Sequence, residues 1–256
     1  MTTHIKGISS HADPIQAPGT DESVWEAWAG WGELDEFTLP PRGRVVVVAA
    51  HPDDEVLGLG GTIARLAAAG NSLTAVSVTD GEGSHPRSGV MGPRELAEVR
   101  VRETRTALGR LGAEDARVVR LRVPDSRVDR HEREVCEALM PLISGAALVA
   151  APWTEDVHSD HEAVGRAART AAQAVGTAFA EYPVWLWHWG RPEDPRLPWS
   201  RAARITLPPD VQALKRHAVE AFESQIRPLG PGAENAAILP PEELAHHLRP
   251  QEVVFL

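Results

Sequence analysis

The chain of 256 residues carries 26 basic against 36 acidic residues, a formal charge of −10. That balance argues against nucleic acid as a partner, because backbone binding rests on Lys and Arg neutralising phosphates. One cysteine, Cys136, excludes an intrachain disulfide, and the absence of an apolar leader or a bilayer-length stretch gives a cytoplasmic expectation with no membrane partner and the oligomeric state left open.

In chain order, residues 1–43 read as an arm and 44–256 as a single α/β domain with a Pro-rich C-terminal extension. Within the arm, Trp25, Trp28 and Trp31 recur every third residue, the spacing of one side of a short helix, and they are expected to staple the arm to the domain. Residues Val45 to Ala50 are apolar, short and valine-rich, which predicts a strand buried on both faces. His51, Pro52 and the carboxylates Asp53, Asp54 and Glu55 follow it; a helix from Leu57 to Ala69 then stops at Gly70. Ser72–Val78 is the second strand. It opens into a Gly-rich loop, Thr79 to Pro93, placed where ligands bind in open α/β sheets.

Helices are expected over 94–111, 128–142 and onward from about 160 to Val175, with strands at 117–121 and 147–151. This alternation predicts a three-layer, mostly parallel Rossmann-like sheet with helices on both faces. The strand ending at Ala151 leads into Thr154-Glu155-Asp156-Val157-His158-Ser159-Asp160-His161, a second His- and Asp-bearing strand-to-helix junction. Tyr182 to Trp189 alternates and predicts a buried strand; 205–207 and 253–255 read as further strands and 211–226 as a helix.

Carboxylates crowded at the end of a central strand are costly unless a cation compensates them. His51 and Asp54 suit a divalent ion such as zinc, and because all such junctions of a parallel sheet open on one edge, either His158 or His161 supplies a third ligand, leaving a position for water. Asp53 is left beside the metal as the base for that water, whereas Glu55 reads as a solvated first-turn carboxylate. A dinucleotide site at GLGGTI is excluded by Ile63 at the sixth position and by the preceding carboxylates, which repel a pyrophosphate; the glycines are expected to let the helix pack against the first strand. No G-x-S-x-G elbow exists, and Ser84 lies between Gly83 and His85 without it.

AHPDDEVLGLGG at 50–61, DGEG at 80–83, Arg100-x-x-Glu103 and PW-x-x-D-x-H-x-D-H ending at His161 resemble the PIG-L/LmbE-like zinc-dependent N-deacetylases. The resemblance implies Zn2+ held by His51, Asp54 and His161, Asp53 as general base, His158 as a protonated partner of the oxyanion and Asp160 as its orienting carboxylate. It also implies substrate contacts at Glu82 and Arg100, and a small amino-sugar substrate that loses an N-acetyl or N-acyl group. Trp153, just past a sheet edge, is expected to stack on the sugar or its aglycone. An amidase acting on a thiol-sugar conjugate and a metal-dependent sugar-binding module without catalysis are the alternatives.

Overall fold

The computed structural model describes residues 14, 15 and 17–256, so residues 1–13 and 16 of the expected arm lie outside the described residues. In chain order the elements are α1 (Glu22–Glu26), β1 (Asp35–Glu36), β2 (Arg44–Ala49), α2 (Asp54–Ala68), β3 (Ser72–Ser77), α3 (Pro93–Arg110), β4 (Arg117–Arg120) and α4 (Glu132–Ile143). They continue with β5 (Leu148–Pro152), α5 (Ser159–Val175), β6 (Phe179–Tyr182), α6 (Leu186–Trp189), β7 (Ala202–Thr206), α7 (Pro209–Val219), α8 (Glu223–Ile226), α9 (Pro241–Ala245) and β8 (Gln251–Phe255).

The sheet has eight strands in the order β1-β7-β8-β6-β5-β2-β3-β4, and every pairing is parallel except those of β8 with β6 and β7. Side chains of β2 alternate between two cores, as a period of two requires. Val45 and Val47 join the core that includes residues of α2, α3 and α7, whereas Val46 and Val48 join the one that includes residues of α4 and α5. The expected α/β architecture with helices on both faces is therefore present. The chain leaves β2 toward β3 on one side and returns through β5 on the other, so β2 and β5 flank a topological switch point, where a crevice opens beyond the strands' carboxyl ends.

The tryptophans staple the N-terminal segment as expected, although α1 ends at Glu26 and a 3-10 turn at Ala29–Gly32 carries Trp31. Trp25 is fully buried and donates from Nε1 to the carbonyl of Trp187 at 2.8 Å. Arg249 lies over the Trp187 ring at 4.5 Å and holds Glu22 through both its Nε and an Nη, tying α1 to the residues before β8.

Two expectations about local structure give way. The strand predicted over 182–189 ends at Tyr182 and the chain turns into α6. Pro183 offers no ladder N–H, and the N–H groups of Val184, Trp185 and Leu186 all turn onto the carboxylate of Asp156 at 2.9–3.3 Å instead of onto a neighbouring strand. The helix predicted over 211–226 is likewise divided into α7 and α8.

The third departure is in α2. Leu59 leaves helical geometry at φ −135°, which frees the backbone N–H groups of Gly61 and Thr62 as though a second helix began there. Glu252 of β8 accepts from both at 2.7 and 2.8 Å, takes a third bond from the Thr62 hydroxyl, and is neutralised by Lys215 of α7 at 2.7 Å. The glycines of this helix admit side chains from other elements and do not serve close packing on β2: Gly58 faces the Tyr182 ring, and Gly61 faces Leu207. A Cβ at Gly58 would meet Tyr182 Cδ2 at 2.3 Å, and Tyr182 is pinned by its hydroxyl to the Val48 carbonyl at 2.7 Å. Gly58→Ala is accordingly expected to cost about 1–3 kcal/mol of overpacking, read as a lowered midpoint in urea denaturation.

Candidate active site

The first wall of the site grows from the end of β2. His51 lies two residues beyond the strand, and its backbone N–H donates to Asp54 Oδ2 at 2.8 Å, which fixes the first turn of α2. Between them Asp53 holds φ 136°, a conformation that ordinarily favours glycine and stores strain at this turn. Across the switch point, β5 delivers Asp156, His158, Asp160 and His161, with Val157 also at a positive φ of 72°. A β-branched residue adopts that region rarely, and its N–H is held by Glu162 at 3.2 Å.

His51 Nδ1 and His161 Nε2 lie 3.2 Å apart, His161 Nε2 is 3.3 Å from Asp54 Oδ1, and His51 Nδ1 is 3.6 Å from Asp54 Oδ2. A tetrahedral zinc with bonds of about 2.0–2.1 Å separates its ligand atoms by roughly 3.3–3.4 Å, and the distances among these three side chains lie near that value, with His161 facing one oxygen of Asp54 and His51 the other. Each imidazole also turns its other nitrogen to carboxylates. His161 Nδ1 meets Asp156 Oδ2 at 2.8 Å, and His51 Nε2 meets Asp160 Oδ2 at 3.3 Å and Asp125 Oδ1 at 3.4 Å. That is the outer arrangement which fixes the tautomer and orientation of metal-ligating histidines. His51, Asp125 and Asp160 form a second possible ligand group, as do His51, His158 and His161. The first of these is already committed to protein donors: Asp160 accepts from the N–H groups of Ser126 and Val128 at 2.7 and 3.1 Å, and Asp125 from that of Gly83 at 2.8 Å.

Electrostatics follow the same layout. Burial opposes charge on Asp54, but His161 and His51 outweigh it and hold the carboxyl well below its ordinary range. Burial likewise disfavours protonated His161, yet Asp54 and Asp156 raise it to about 9. His158 behaves oppositely: burial, with His161 and His51 close by, lowers it to about 3. Its Nδ1 accepts from the N–H of Asp160 at 3.2 Å and caps α5, so the ring is neutral and carries its proton on Nε2. The resemblance implies an imidazolium here, whereas burial and the two neighbouring histidines favour the neutral ring. The expected pairing with Asp160 is corrected, since that carboxylate faces His51 and the backbone of 126–128.

Asp53 is 5 % exposed, and burial raises it to about 7 against the pull of Arg100. Arg100 Nη2 donates to Asp53 Oδ2 at 3.0 Å and to the Pro52 carbonyl at 2.7 Å, while Nη1 holds the Gly81 carbonyl at 2.9 Å. Gly81 sits at φ 67°, and a Cβ there would strike this guanidinium at 2.1 Å. Arg100 thus clamps Asp53 with its terminal nitrogens held by these bonds, and at 3 % exposure it also borders the cavity. Glu55, expected in solvent, is 1 % exposed and pushed up to about 8 by burial, accepting from the Asp53 N–H at 3.2 Å.

Above the cluster opens a cavity of about 840 Å³ bordered by His51, Asp53, Asp54 and His158. Its outer walls come from the Gly83–Arg87 loop, the segment Ala233–Glu243, residues 17–19 of the N-terminal segment, and Trp185. The Pro-rich C-terminal extension and the arm therefore meet at the cavity. Two expected substrate contacts lie elsewhere. Trp153 is 1 % exposed and stacked on Trp189 at 6.3 Å, and the Glu82 carboxylate accepts from the Asp125 N–H at 3.0 Å, bracing one loop on another.

Fold and cluster together define an α/β protein with a His-Asp-His site at the carboxyl edge of a parallel sheet. Residues 46–172 match the family model described as GlcNAc-PI de-N-acetylase, PIG-L. The uncharacterized deacetylase YaiS of Escherichia coli is 30% identical over 141 residues, 52% of this chain and 70% of that protein. The 1D-myo-inositol 2-acetamido-2-deoxy-alpha-D-glucopyranoside deacetylase of Kineococcus radiotolerans is 42% identical over 80 residues, which is 30% of this chain and only 22% of that protein. Among solved structures, the zinc-inhibited form of teicoplanin deacetylase Orf2 superposes with a TM-score of 0.60 at 20% identity, covering 83% of this chain and 97% of that one. The chain belongs to the PIG-L family, whose de-N-acetylases are hydrolases of carbon–nitrogen bonds.

Asp125 and Asp156 were given no role by the sequence reading. For Asp156 a signal existed, since it is the first aspartate of the PW-x-x-D-x-H-x-D-H run. Asp125 sits in an irregular loop after β4 with no local pattern to mark it.

Proposed function

We propose that the protein is a zinc-dependent N-deacetylase that removes an acetyl or acyl group from the nitrogen of a small amino-sugar compound in the cytoplasm. The observation that carries this reading is the approach of His51 Nδ1, His161 Nε2 and the two oxygens of Asp54 to within 3.2–3.6 Å at the edge of the cavity that His51 and Asp54 border, with the opposite nitrogen of each imidazole on carboxylates. His51, Asp54 and His161 would hold the ion. When bound, zinc supplies a Lewis acid and lowers the pKa of water to about 7.

The protein's own groups account for the remaining chemistry. Asp53 borders the cavity beside Asp54 with one oxygen clamped by Arg100, and its Oδ1 has no protein partner among the described residues. Asp53 takes the proton of the attacking water and returns it to the departing amine, and no covalent enzyme intermediate arises. His158 presents Nε2–H to the amide oxygen as negative charge develops there; a neutral donor of this kind is typically worth about 2.7–4 kcal/mol in other hydrolases. Asp125 and Asp160 orient His51, and Asp156 orients His161. The small-substrate class is supported by the size of the cavity, within the range of about 300–1,000 Å³ usual for small-molecule sites.

The test is acetate release from N-acetylglucosaminides by metal-stripped and zinc-reconstituted protein. Hydrolysis is expected to disappear on chelation and return with stoichiometric zinc. Turnover by protein shown to be metal-free would overturn the mechanism. A sugar-binding module would bind these glycosides with zinc and release no acetate.

A further inference from the structure

Ser84 and His85 lie on the cavity wall and take no part in the mechanism above. His85 is 6 % exposed; its Nε2 lies 3.0 Å from the Ala236 carbonyl, and its Nδ1 lies 3.0 Å from Ser84 Oγ. A carbonyl oxygen only accepts, so Nε2 carries the ring proton and Nδ1 is a bare acceptor. The Ser84 hydroxyl must therefore donate to Nδ1. Its oxygen is left with acceptor capacity, and the one further contact is a long 3.5 Å approach from Gln225 Nε2.

Resting on the deacetylase reading, we infer that Ser84 and His85 form an acceptor subsite that reads one neutral hydroxyl of the substrate sugar. Two observations set the chemistry. Burial, with Arg100 adding to it, lowers the pKa of His85 against the hydrogen bond to Ala236, and the lone pair left on Ser84 Oγ suits a neutral donor such as a sugar hydroxyl. The subsite is also joined to the reaction centre: the N–H of Gly83, next to Ser84, donates to Asp125 Oδ2 at 2.8 Å, and Asp125 Oδ1 is 3.4 Å from His51. A hydroxyl held at Ser84 is thus referred to the same loop that fixes a metal ligand. The Ser-His contact is not that of a nucleophile. The far nitrogen of His85 rests on a neutral carbonyl where a serine nucleophile's base has an orienting carboxylate, and the support that carbonyl gives an imidazolium is outweighed by burial and Arg100.

The experiment measures binding of methyl N-acetyl-β-D-glucosaminide and its 3-, 4- and 6-deoxy analogues to zinc-loaded Asp53→Asn protein, with and without Ser84→Ala, by calorimetry. One deoxy analogue is expected to bind about tenfold more weakly than the parent when Ser84 is present. Ser84→Ala should weaken the parent about tenfold and leave that analogue unchanged, so that the two losses do not add. Equal affinity for all four glycosides, or an equal loss for all four on Ser84→Ala, would overturn the subsite. Acetate release from the parent by wild-type protein, run alongside, separates the two readings: release with a flat deoxy pattern removes the subsite alone, whereas neither release nor binding removes the deacetylase reading and the subsite with it.

Discussion

Asp53→Asn is expected to lower kcat by about 10²–10⁴ while zinc remains stoichiometric. The carboxamide preserves the shape of the side chain but cannot take the proton of the attacking water. Because Asp53 is adjacent to a proposed ligand without contributing to the 3.2–3.6 Å contacts among His51, Asp54 and His161, metal binding should persist. A second consequence is specific to this site. Arg100 would lose the anion facing Nη2 while remaining buried, so some loss of stability should accompany the loss of turnover. Arg100→Met in the same background relieves the unpaired charge and should recover that stability without recovering kcat. Near-normal turnover of Asp53→Asn would move the base elsewhere, and Glu55, buried and two residues on, would be examined next.

The largest stability effect is expected from Asp156→Ala. Asp156 is fully buried, and its carboxylate serves four donors from two sources, His161 Nδ1 and the N–H groups of Val184, Trp185 and Leu186. Removing it strands three backbone donors and one imidazole in the interior, a loss of about 3–5 kcal/mol by comparison with other broken buried pairs. Zinc affinity should fall as well, by about 10–100-fold, the usual penalty for removing the partner of a metal-ligating histidine. Asp156→Asn keeps one acceptor oxygen and should fall between. Urea denaturation of metal-free protein together with a competitive zinc titration reads both effects; an Ala variant with wild-type values in each would refute the double role.

The approach of His51, Asp54 and His161 was legible because each half is written locally. A strand that ends in His-Pro-Asp-Asp fixes the direction of His51 and Asp54, and a strand that ends before His158 and His161 does the same across the switch point. What sequence left open was which of those two histidines faces Asp54, since they are three residues apart; in the structure His158 spends Nδ1 on capping α5 while His161 points Nε2 at Asp54. The roles of carboxylates were less legible. Asp160 and Asp156 differ by four positions, but their functions follow from which loop brings free N–H groups to them, 126–128 in one case and 184–186 in the other. No local pattern records that. The aromatic residues failed for a related reason: Trp153 and Trp185 both follow strands, and only the turn imposed by Asp156 decides that Trp185 borders the cavity while Trp153 is covered by Trp189 and Phe255.

β8 follows every other element in the chain, yet it lies between β7 and β6 in the sheet and supplies Glu252 to the broken middle of α2. During synthesis, strands β2 to β6 are available to pair while residues 251–255 are still to be translated. At rates of about 5–20 residues per second the ribosome takes roughly 4–15 seconds to pass from Tyr182 to Phe255, and over that interval β6 keeps an open edge and Lys215 lacks its counter-ion. The helix that begins with Asp54 consequently reaches its finished form only after translation has passed Glu252. A nascent chain stalled before that point would present the motif at the end of β2 without the support that completes α2, so the order of the strands delays the finished helix until Glu252 has been made.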